Sequence, residues 1–423
     1  MSARVRLAGP LARDSVLTGA GALLTVGLSG IASIVVARAL GPSGRGEWAA
    51  IFSLATLAGT IGALGLPAAA GFAVGRAGEH RRATAEAGLV ASSALALVAL
   101  LLYAAVWLTA SPATTDAAAV ALGGGIAAIT VVQSVALQTV LVGASLRAYA
   151  LAQVIPAAGA LAVILAFAIA GKLSLVTVGG VYAGRAAAGA LLCTAALRRV
   201  GLVRRRFTGL RPRAFATMAP YAGYALATFL TISLTTLVQR ADVLLISGML
   251  GSRPAGLYAV AVQLLELLIV LPGVLGFLLF RRGARSTPDH WTDAVRALRW
   301  AAAIQVVAAS VVLVAATPIV RLLFGSAYVD SVVAIRWLMP AAVFLGLQSV
   351  ISNYIAGRGR PRSVLVAWAV GAIVGIGLNV LIIPRHGIAG AAAVSSLAYA
   401  IVLALHLTAL REVRRRDVAA SGR

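Results

Sequence analysis

The run SVLTGAGALLTVGLSGIASIVVA, Ser15–Ala37, carries no charged side chain and is bounded by Arg13 and Asp14 before it and Arg38 after it. A helix of that length, at ~1.5 Å per residue, extends about 34 Å, enough to cross a ~30 Å hydrocarbon core. Its basic lead, Arg4, Arg6 and Arg13, is like that of a secretory leader. The apolar part is longer than a leader's, however, and further apolar runs follow, so a retained first helix is expected.

Stretches of this kind recur along the chain. The expected spans are roughly 15–38, 48–75, 84–108, 117–143, 150–170, 174–197, 217–250, 255–280, 297–319, 333–356, 363–383 and 388–410. Hydrophobic residues make up 61% of the chain while its net charge is +24. Most of the 36 basic residues fall in short clusters between the spans. A soluble nucleic-acid binder would instead spread its charge over a polar surface, so no nucleic-acid partner is expected. Alternate clusters hold most of the arginines, which by the positive-inside rule places both termini in the cytoplasm. The fold class is an all-α polytopic membrane protein of about twelve transmembrane helices.

The chain also repeats itself. Leu40-Gly41-Pro42-Ser43-Gly44-Arg45-Gly46-Glu47-Trp48 and Leu250-Gly251-Ser252-Arg253-Pro254-Ala255-Gly256-Leu257-Tyr258 share Leu-Gly-x4-Gly-x-aromatic, 210 positions apart. Each follows the first helix of a six-span set, which predicts a parallel repeat around a central cavity. The expected organisation is an N-terminal six-helix bundle over 1–200 and a basic cytoplasmic linker over 201–216. A second bundle over 217–410 and a basic tail over 411–423 complete it.

The first and seventh spans carry matching polar faces. Thr228, Thr231, Thr235, Gln239 and Asp242 lie on one face of the seventh, and Thr18, Thr25 and Ser29 occupy corresponding places on the first. Two readings stay open: hydroxyls bonding back to their own helix or packing helices together, or the wall of a water-accessible cavity. Pro67 and Pro272 are expected to interrupt the spans beside them. Gly180-x3-Gly184 and Gly371-x3-Gly375 predict close helix contacts.

Some charges fall inside spans, where charge is costly. Arg185 is near the middle of the sixth span and Glu266 near the middle of the eighth, with Arg240 and Asp242 in the outer part of the seventh. Arg185 and Glu266 either form a structural pair or act on substrate, Arg185 on a phosphate and Glu266 as a titratable coupling group. Asp242 is a second coupling candidate, and Arg38 and Arg45 stand where an anion would be guided. Arg240 and Asp242, two apart, point to different sides of their helix. Nothing resembles a phosphate-cradling loop, a metal-ligand spacing or a nucleophile elbow, so no catalytic, cofactor or metal site is expected.

Several motifs in order carry a resemblance. They are Ala37-Arg38-Ala39-Leu40-Gly41-Pro42-Ser43-Gly44-Arg45-Gly46-Glu47, Gly65-Leu66-Pro67, Asp242-Val243-Leu244-Leu245 with Gly256-Leu257-Tyr258, and Leu323-Phe324-Gly325-x2-Tyr328. Ala356-Gly357-Arg358-Gly359-Arg360-Pro361 and Asn379-x4-Pro384-x2-Gly387 close the series. In these the chain resembles bacterial polysaccharide flippases of the multidrug/oligosaccharidyl-lipid/polysaccharide exporter superfamily. The resemblance implies two six-helix bundles in the bacterial cytoplasmic membrane, carrying an undecaprenyl diphosphate-type lipid-linked oligosaccharide between leaflets. It also implies a polysaccharide polymerase and glycosyltransferases as partners. Arg38, Arg45, Asp242 and the polar faces of the first and seventh spans match the family's cavity positions, while Lys172 is the one lysine and the first-span face is neutral. A cation-coupled multidrug exporter of the same superfamily, or a non-transporting scaffold for a polymerase, are the alternatives.

Overall fold

The computed structural model describes residues 10–110, 116–204, 219–270, 272–273, 290–357 and 361–421, with the side chains of 10–18, 110, 290, 293–294, 356–357, 361–362 and 416–421 excepted. Among the described residues there are eleven α-helices and no strand. They are α1 Pro10–Gly62, α2 Leu66–Arg76, α3 Arg81–Ala110, α4 Ala117–Gly143, α5 Leu146–Ile169 and α6 Leu175–Arg199. After these come α7 Ala222–Leu250, α8 Ser252–Leu268, α9 His290–Leu323, α10 Ser331–Gly357 and α11 Pro361–Ser421. The expected linker 201–216 lies outside the described residues beyond Arg204, and Thr18 lies outside those with described side chains.

Nine of the described helical stretches are long and apolar enough to cross a membrane. Two of them are double. α1 joins two helices across Gly41, and α11 joins two across Gly387. α8, with 17 residues, falls at the start of the span expected at 255–280, most of whose remainder lies outside the described residues. The fold-back at Gly387 is direct: a methyl at Gly371 would run into Val402, and one at Gly375 would meet Ala398 at 3.3 Å. Both pairs are nearly equidistant from Gly387, as antiparallel helices require. Gly371-x3-Gly375 is thus the expected close contact. Gly180 and Gly184 are not: nothing lies within 4 Å of where their methyls would be, because spacing alone does not say which way a helix face points.

The break expected at Pro67 in the second span is present. α1 ends at Gly62, Leu64 and Gly65 take positive φ of 46° and 73°, and Pro67 starts α2 in its first turn. Pro272 lies at the edge of the described residues. α7 has 29 residues, about 44 Å at ~1.5 Å each, still longer than the hydrocarbon core.

Burial is inverted relative to a water-soluble bundle. Ile169 is 86% exposed and Leu108 and Val314 are each 84% exposed. Side chains of this kind cover the outside because lipid solvates them, whereas water would drive them together. The interior is rich in Ala and Gly, as in membrane helices that approach through small residues. This is a multi-pass membrane protein.

Contacts cluster into two units, Met1–Ala32, Ala58–Thr109 and Asp116–Phe229 for the first, and Ser33–Leu57, Ala110–Thr115 and Leu230–Arg423 for the second. In the first unit, Gly62 packs against Ala99 and Gly59 against the Ala127 backbone. Arg81 donates to the carbonyl oxygens of Val74 at 3.1 Å and Val142 at 3.4 Å, satisfying the last turns of α2 and α4.

The second unit contains both copies of the glycine motif, and they pack against each other. Gly41 has φ 67° and ψ 179°, Gly251 φ 91° and ψ −176°. Both lie in a region open essentially to glycine alone, and each launches a helix. A methyl at Gly46 would overlap the Ser252 carbonyl oxygen and stand 2.7 Å from the Gly256 nitrogen. A methyl at Gly256 would overlap the Pro42 carbonyl oxygen and stand 2.9 Å from the Gly46 nitrogen. Position by position the contact maps onto itself under the 210-residue offset, the mark of a local two-fold. Trp48 and Tyr258, the aromatic residues that close the two motifs, are both buried.

Candidate functional site

Polar groups inside the second unit form three connected sets around this glycine seam. The first secures the ends of helices. Tyr328 donates from its hydroxyl to the Ala37 carbonyl at 2.6 Å. In the other direction Arg38 donates to the carbonyls of Leu323, at 2.8 Å, and Leu322. The ends of the first helix of α1 and of α9 thus satisfy each other's orphan carbonyls. Tyr328 lies outside the spans, and burial pushes its phenol up to about 12, opposed by nearby Arg45. It therefore stays a donor at physiological pH.

The second set is built on Gln263 of α8. Its side-chain oxygen accepts from Ser33 at 2.7 Å and from Arg45 at 3.1 Å. Arg45 is buried, and its helix begins just after the Gly41 turn, which aims it inward beneath the seam. Arg38, by contrast, is exposed.

The third set surrounds Asp242, which is only 4% exposed. One carboxylate oxygen accepts from the Val243 backbone N–H at 2.8 Å. The other accepts from the Tyr258 hydroxyl at 2.6 Å and from Ser395 of α11 at 3.3 Å. Beside it is a cavity of about 30 Å³, lined by Gln239, Asp242, Glu266, Leu338 and Tyr399 among others, large enough for one water. Glu266 pairs with Arg240 at 3.0 Å. Gln239, Arg240, Asp242 and Glu266 are thus brought together.

Among the described residues, the ion pair of Glu266 is with Arg240. Arg185 belongs to the first unit, half-buried, with its guanidinium 6.0 Å from the Tyr182 ring on its own helix, a weak cation–π arrangement. Arg240 and Glu266 both lie within spans, where an unpaired charge is costly, so a double-mutant cycle on Arg240→Ala and Glu266→Ala is expected to return a coupling of about 1 kcal/mol or more. Thermal unfolding of the purified variants reads it out. A coupling indistinguishable from zero would mean that the pair contributes nothing.

On the polar faces, hydroxyls bond back to the preceding turn. Thr25 donates to Gly21 at 2.8 Å, Ser29 to Thr25 at 2.7 Å and Thr235 to Thr231 at 2.8 Å. These residues, with Thr228, are half-buried. Back-bonding uses the hydroxyl hydrogen and leaves oxygen lone pairs to accept, so the two readings of the faces are compatible.

Sequence reading did not single out Ser33, Tyr258, Ser395, Tyr399 or Tyr328 for the site. Tyr258 was within reach: Asp242 and Tyr258 are each eight residues from Leu250, where the chain turns, so antiparallel helices hold them at one depth. Ser395 carried no comparable signal.

The sequence profile of the polysaccharide biosynthesis protein family matches residues 11–280. An uncharacterised membrane protein of Methanocaldococcus jannaschii is 35% identical over 86 residues, 20% of this chain and 17% of that protein. In fold, the chain is similar to the lipid II flippase MurJ in an inward closed conformation, with a TM-score of 0.68 and 14% identity, over 94% of this chain and 87% of that one. It is equally similar to a multidrug resistance MATE family transporter of the MOP superfamily in an inward-facing conformation. There the TM-score is 0.68 at 13% identity, over 95% of this chain and 99% of the other. The eukaryotic MATE transporter AtDTX14 gives 0.68 at 17% identity, over 96% and 98%. With the motif order, the kinked helix pairs and the mirrored glycine turns all in place, the chain belongs to the polysaccharide biosynthesis protein family of multi-pass membrane proteins.

Proposed function

We propose that this protein is a flippase that carries a lipid-linked oligosaccharide, of the undecaprenyl diphosphate type, across the bacterial cytoplasmic membrane by alternating access. The observation that carries this reading is the family match over residues 11–280, and the likeness in fold to a lipid II flippase agrees with it. The chemistry upstream is glycosyl transfer onto a lipid carrier; downstream it is polymerisation of the delivered repeat.

A diphosphate and its sugars cannot enter hydrocarbon without a hydrated path, since unpaired charge there costs tens of kcal/mol on the order of Born estimates. The polar faces of the first and seventh spans supply that path. Thr25, Ser29 and Thr235, already bonded backwards, accept from sugar hydroxyls. Among the arginines named above, Arg38 is engaged in capping, Arg45 with Gln263 and Arg240 with Glu266. Arg185 therefore serves the diphosphate, where a guanidinium binds two oxygens at once. Asp242 couples transport to an ion gradient, its carboxylate facing a water-sized space.

In proteoliposomes holding a fluorescent undecaprenyl diphosphate oligosaccharide, Arg185→Ala is expected to lower the flipping rate at least tenfold, and Arg185→Lys to restore only part of it. Wild-type rates in Arg185→Ala would end its assignment to the diphosphate. A purified protein that flips no such lipid would end the flippase reading.

A cation-coupled drug exporter is the second reading, favoured by the buried carboxylate of Asp242 and by the fold likeness to multidrug transporters. A deletion strain separates the two. Lost surface polysaccharide with unchanged drug sensitivity supports the flippase; the converse supports the exporter.

A further inference from the structure

α9 runs from His290 to Leu323, the end capped by Arg38 near the seam. Its first turns therefore stand about 48 Å away along the helix axis, at the other membrane boundary. There α9, α10 and the end of α11 enclose a cavity of about 230 Å³. Leu298, Val350 and Leu407 form its apolar wall, and Arg411 and Arg414 its charged lip. Trp291 closes one side, with its ring 6.5 Å from that of Tyr354 at 71° and the Arg414 guanidinium 4.7 Å above it. A wider hollow of about 830 Å³ shares Trp291 and Val295 with the slot and is lined by Arg296, Arg299 and the 63%-exposed Trp300. No carboxylate is among the described residues that line either space; Glu412, next to Arg411, is exposed.

This juxtaposition is specific in its chemistry. A slot several times the ~30 Å³ of a water molecule, walled by aliphatic side chains, accepts a length of acyl chain. Two guanidinium groups at its lip, Arg411 and Arg414, and two more lining the adjoining hollow, Arg296 and Arg299, accept an anion, and Arg–phosphate contacts are bidentate. Indole rings at the mouth suit the headgroup level of a bilayer. Free phosphate would leave the slot empty, and a zwitterionic lipid would offset its phosphate with its own cation. Basic pockets between membrane helices are where acidic headgroups settle.

We propose that this is a binding site for an acidic phospholipid, with its phosphate among Arg296, Arg299, Arg411 and Arg414 and one acyl chain in the slot beside Trp291. The site lies wholly within the second unit and stands apart from the transport reading.

The test is binding to the purified full-length protein in neutral detergent, followed by its thermal unfolding during titration with phosphatidylglycerol, phosphatidylcholine, inorganic pyrophosphate and undecaprenyl phosphate. Phosphatidylglycerol is expected to bind at least tenfold more tightly than phosphatidylcholine. Arg411→Gln with Arg414→Gln, and Arg296→Gln with Arg299→Gln, are each expected to remove most of that preference. These side chains are exposed, so the variants should fold. Val350→Trp, filling the slot, is expected to weaken both phospholipids. Equal binding of the two phospholipids, or a preference untouched by both arginine pairs, would overturn the proposal. Pyrophosphate as effective as phosphatidylglycerol would make it an ion site only, and undecaprenyl phosphate tenfold tighter would assign it to the carrier. Either result also overturns the acidic-phospholipid assignment.

Discussion

Gly46→Ala and Gly256→Ala are each expected to reduce transport at least tenfold, and by similar factors. The added methyl meets backbone, not the end of a flexible side chain: the Ser252 carbonyl in one case and the Pro42 carbonyl in the other. Overpacking of this kind costs about 1–3 kcal/mol, and backbone that cannot rotate aside puts it at the upper end. At about 1.4 kcal/mol per factor of ten, the sealed seam loses much of its population, whether the protein opens there or unfolds. Reciprocity makes a sharper statement. Either methyl already parts the same contact, so the double variant should cost much less than the sum of the singles. Gly27→Ala and Gly248→Ala are the controls, because nothing lies within 4 Å of either added methyl; both are expected to transport within about twofold of wild type. Uptake and thermal unfolding, measured together, tell an opened seam from a lost fold. Normal transport and stability in Gly46→Ala would mean that the two motifs do not meet as described.

The second large effect is expected at Asp242. Asp242→Ala takes away the 2.6 Å acceptor of the Tyr258 hydroxyl and the 3.3 Å acceptor of Ser395, leaving two buried hydroxyls with only each other, 3.3 Å apart, so that one donor goes unmet. A buried donor stranded in this way costs about 1–3 kcal/mol, so the variant should fall markedly in stability. Asp242→Asn keeps the shape and one acceptor oxygen, and it should fold. If the carboxylate couples an ion to transport, Asp242→Asn should lose gradient-driven accumulation while retaining downhill exchange. Tyr258→Phe removes only the 2.6 Å hydrogen bond and should lie between the two. Gradient-driven transport at wild-type rates in Asp242→Asn would leave Asp242 a structural residue.

Hydropathy and charge made the helices legible because lipid imposes them segment by segment. The span expected at 117–143 is α4, Ala117–Gly143, and the glycine motifs marked both turns where ψ is extended and φ positive. The site was less legible, since it depends on how each helix is rotated. Arg240 and Glu266 are 26 positions apart on successive helices, and no local spacing makes them partners. Arg38 looked like an anion guide because of its place at a span end. The vacant carbonyls of a distant helix end, which it satisfies, are equally a product of folding. Gly180 and Gly184 show the same limit from the other side, having the right spacing on a face that meets nothing within 4 Å.

Everything proposed for transport depends on water reaching the polar faces of the first and seventh spans. Single cysteines placed at Thr25 and Thr235 in a variant lacking Cys193, and treated in intact vesicles with a membrane-impermeant maleimide from each side, measure this directly. Labelling is expected at both positions, slowed when the lipid-linked oligosaccharide is present. Two cysteines inert from either side, in a protein that still folds and inserts, would contradict it.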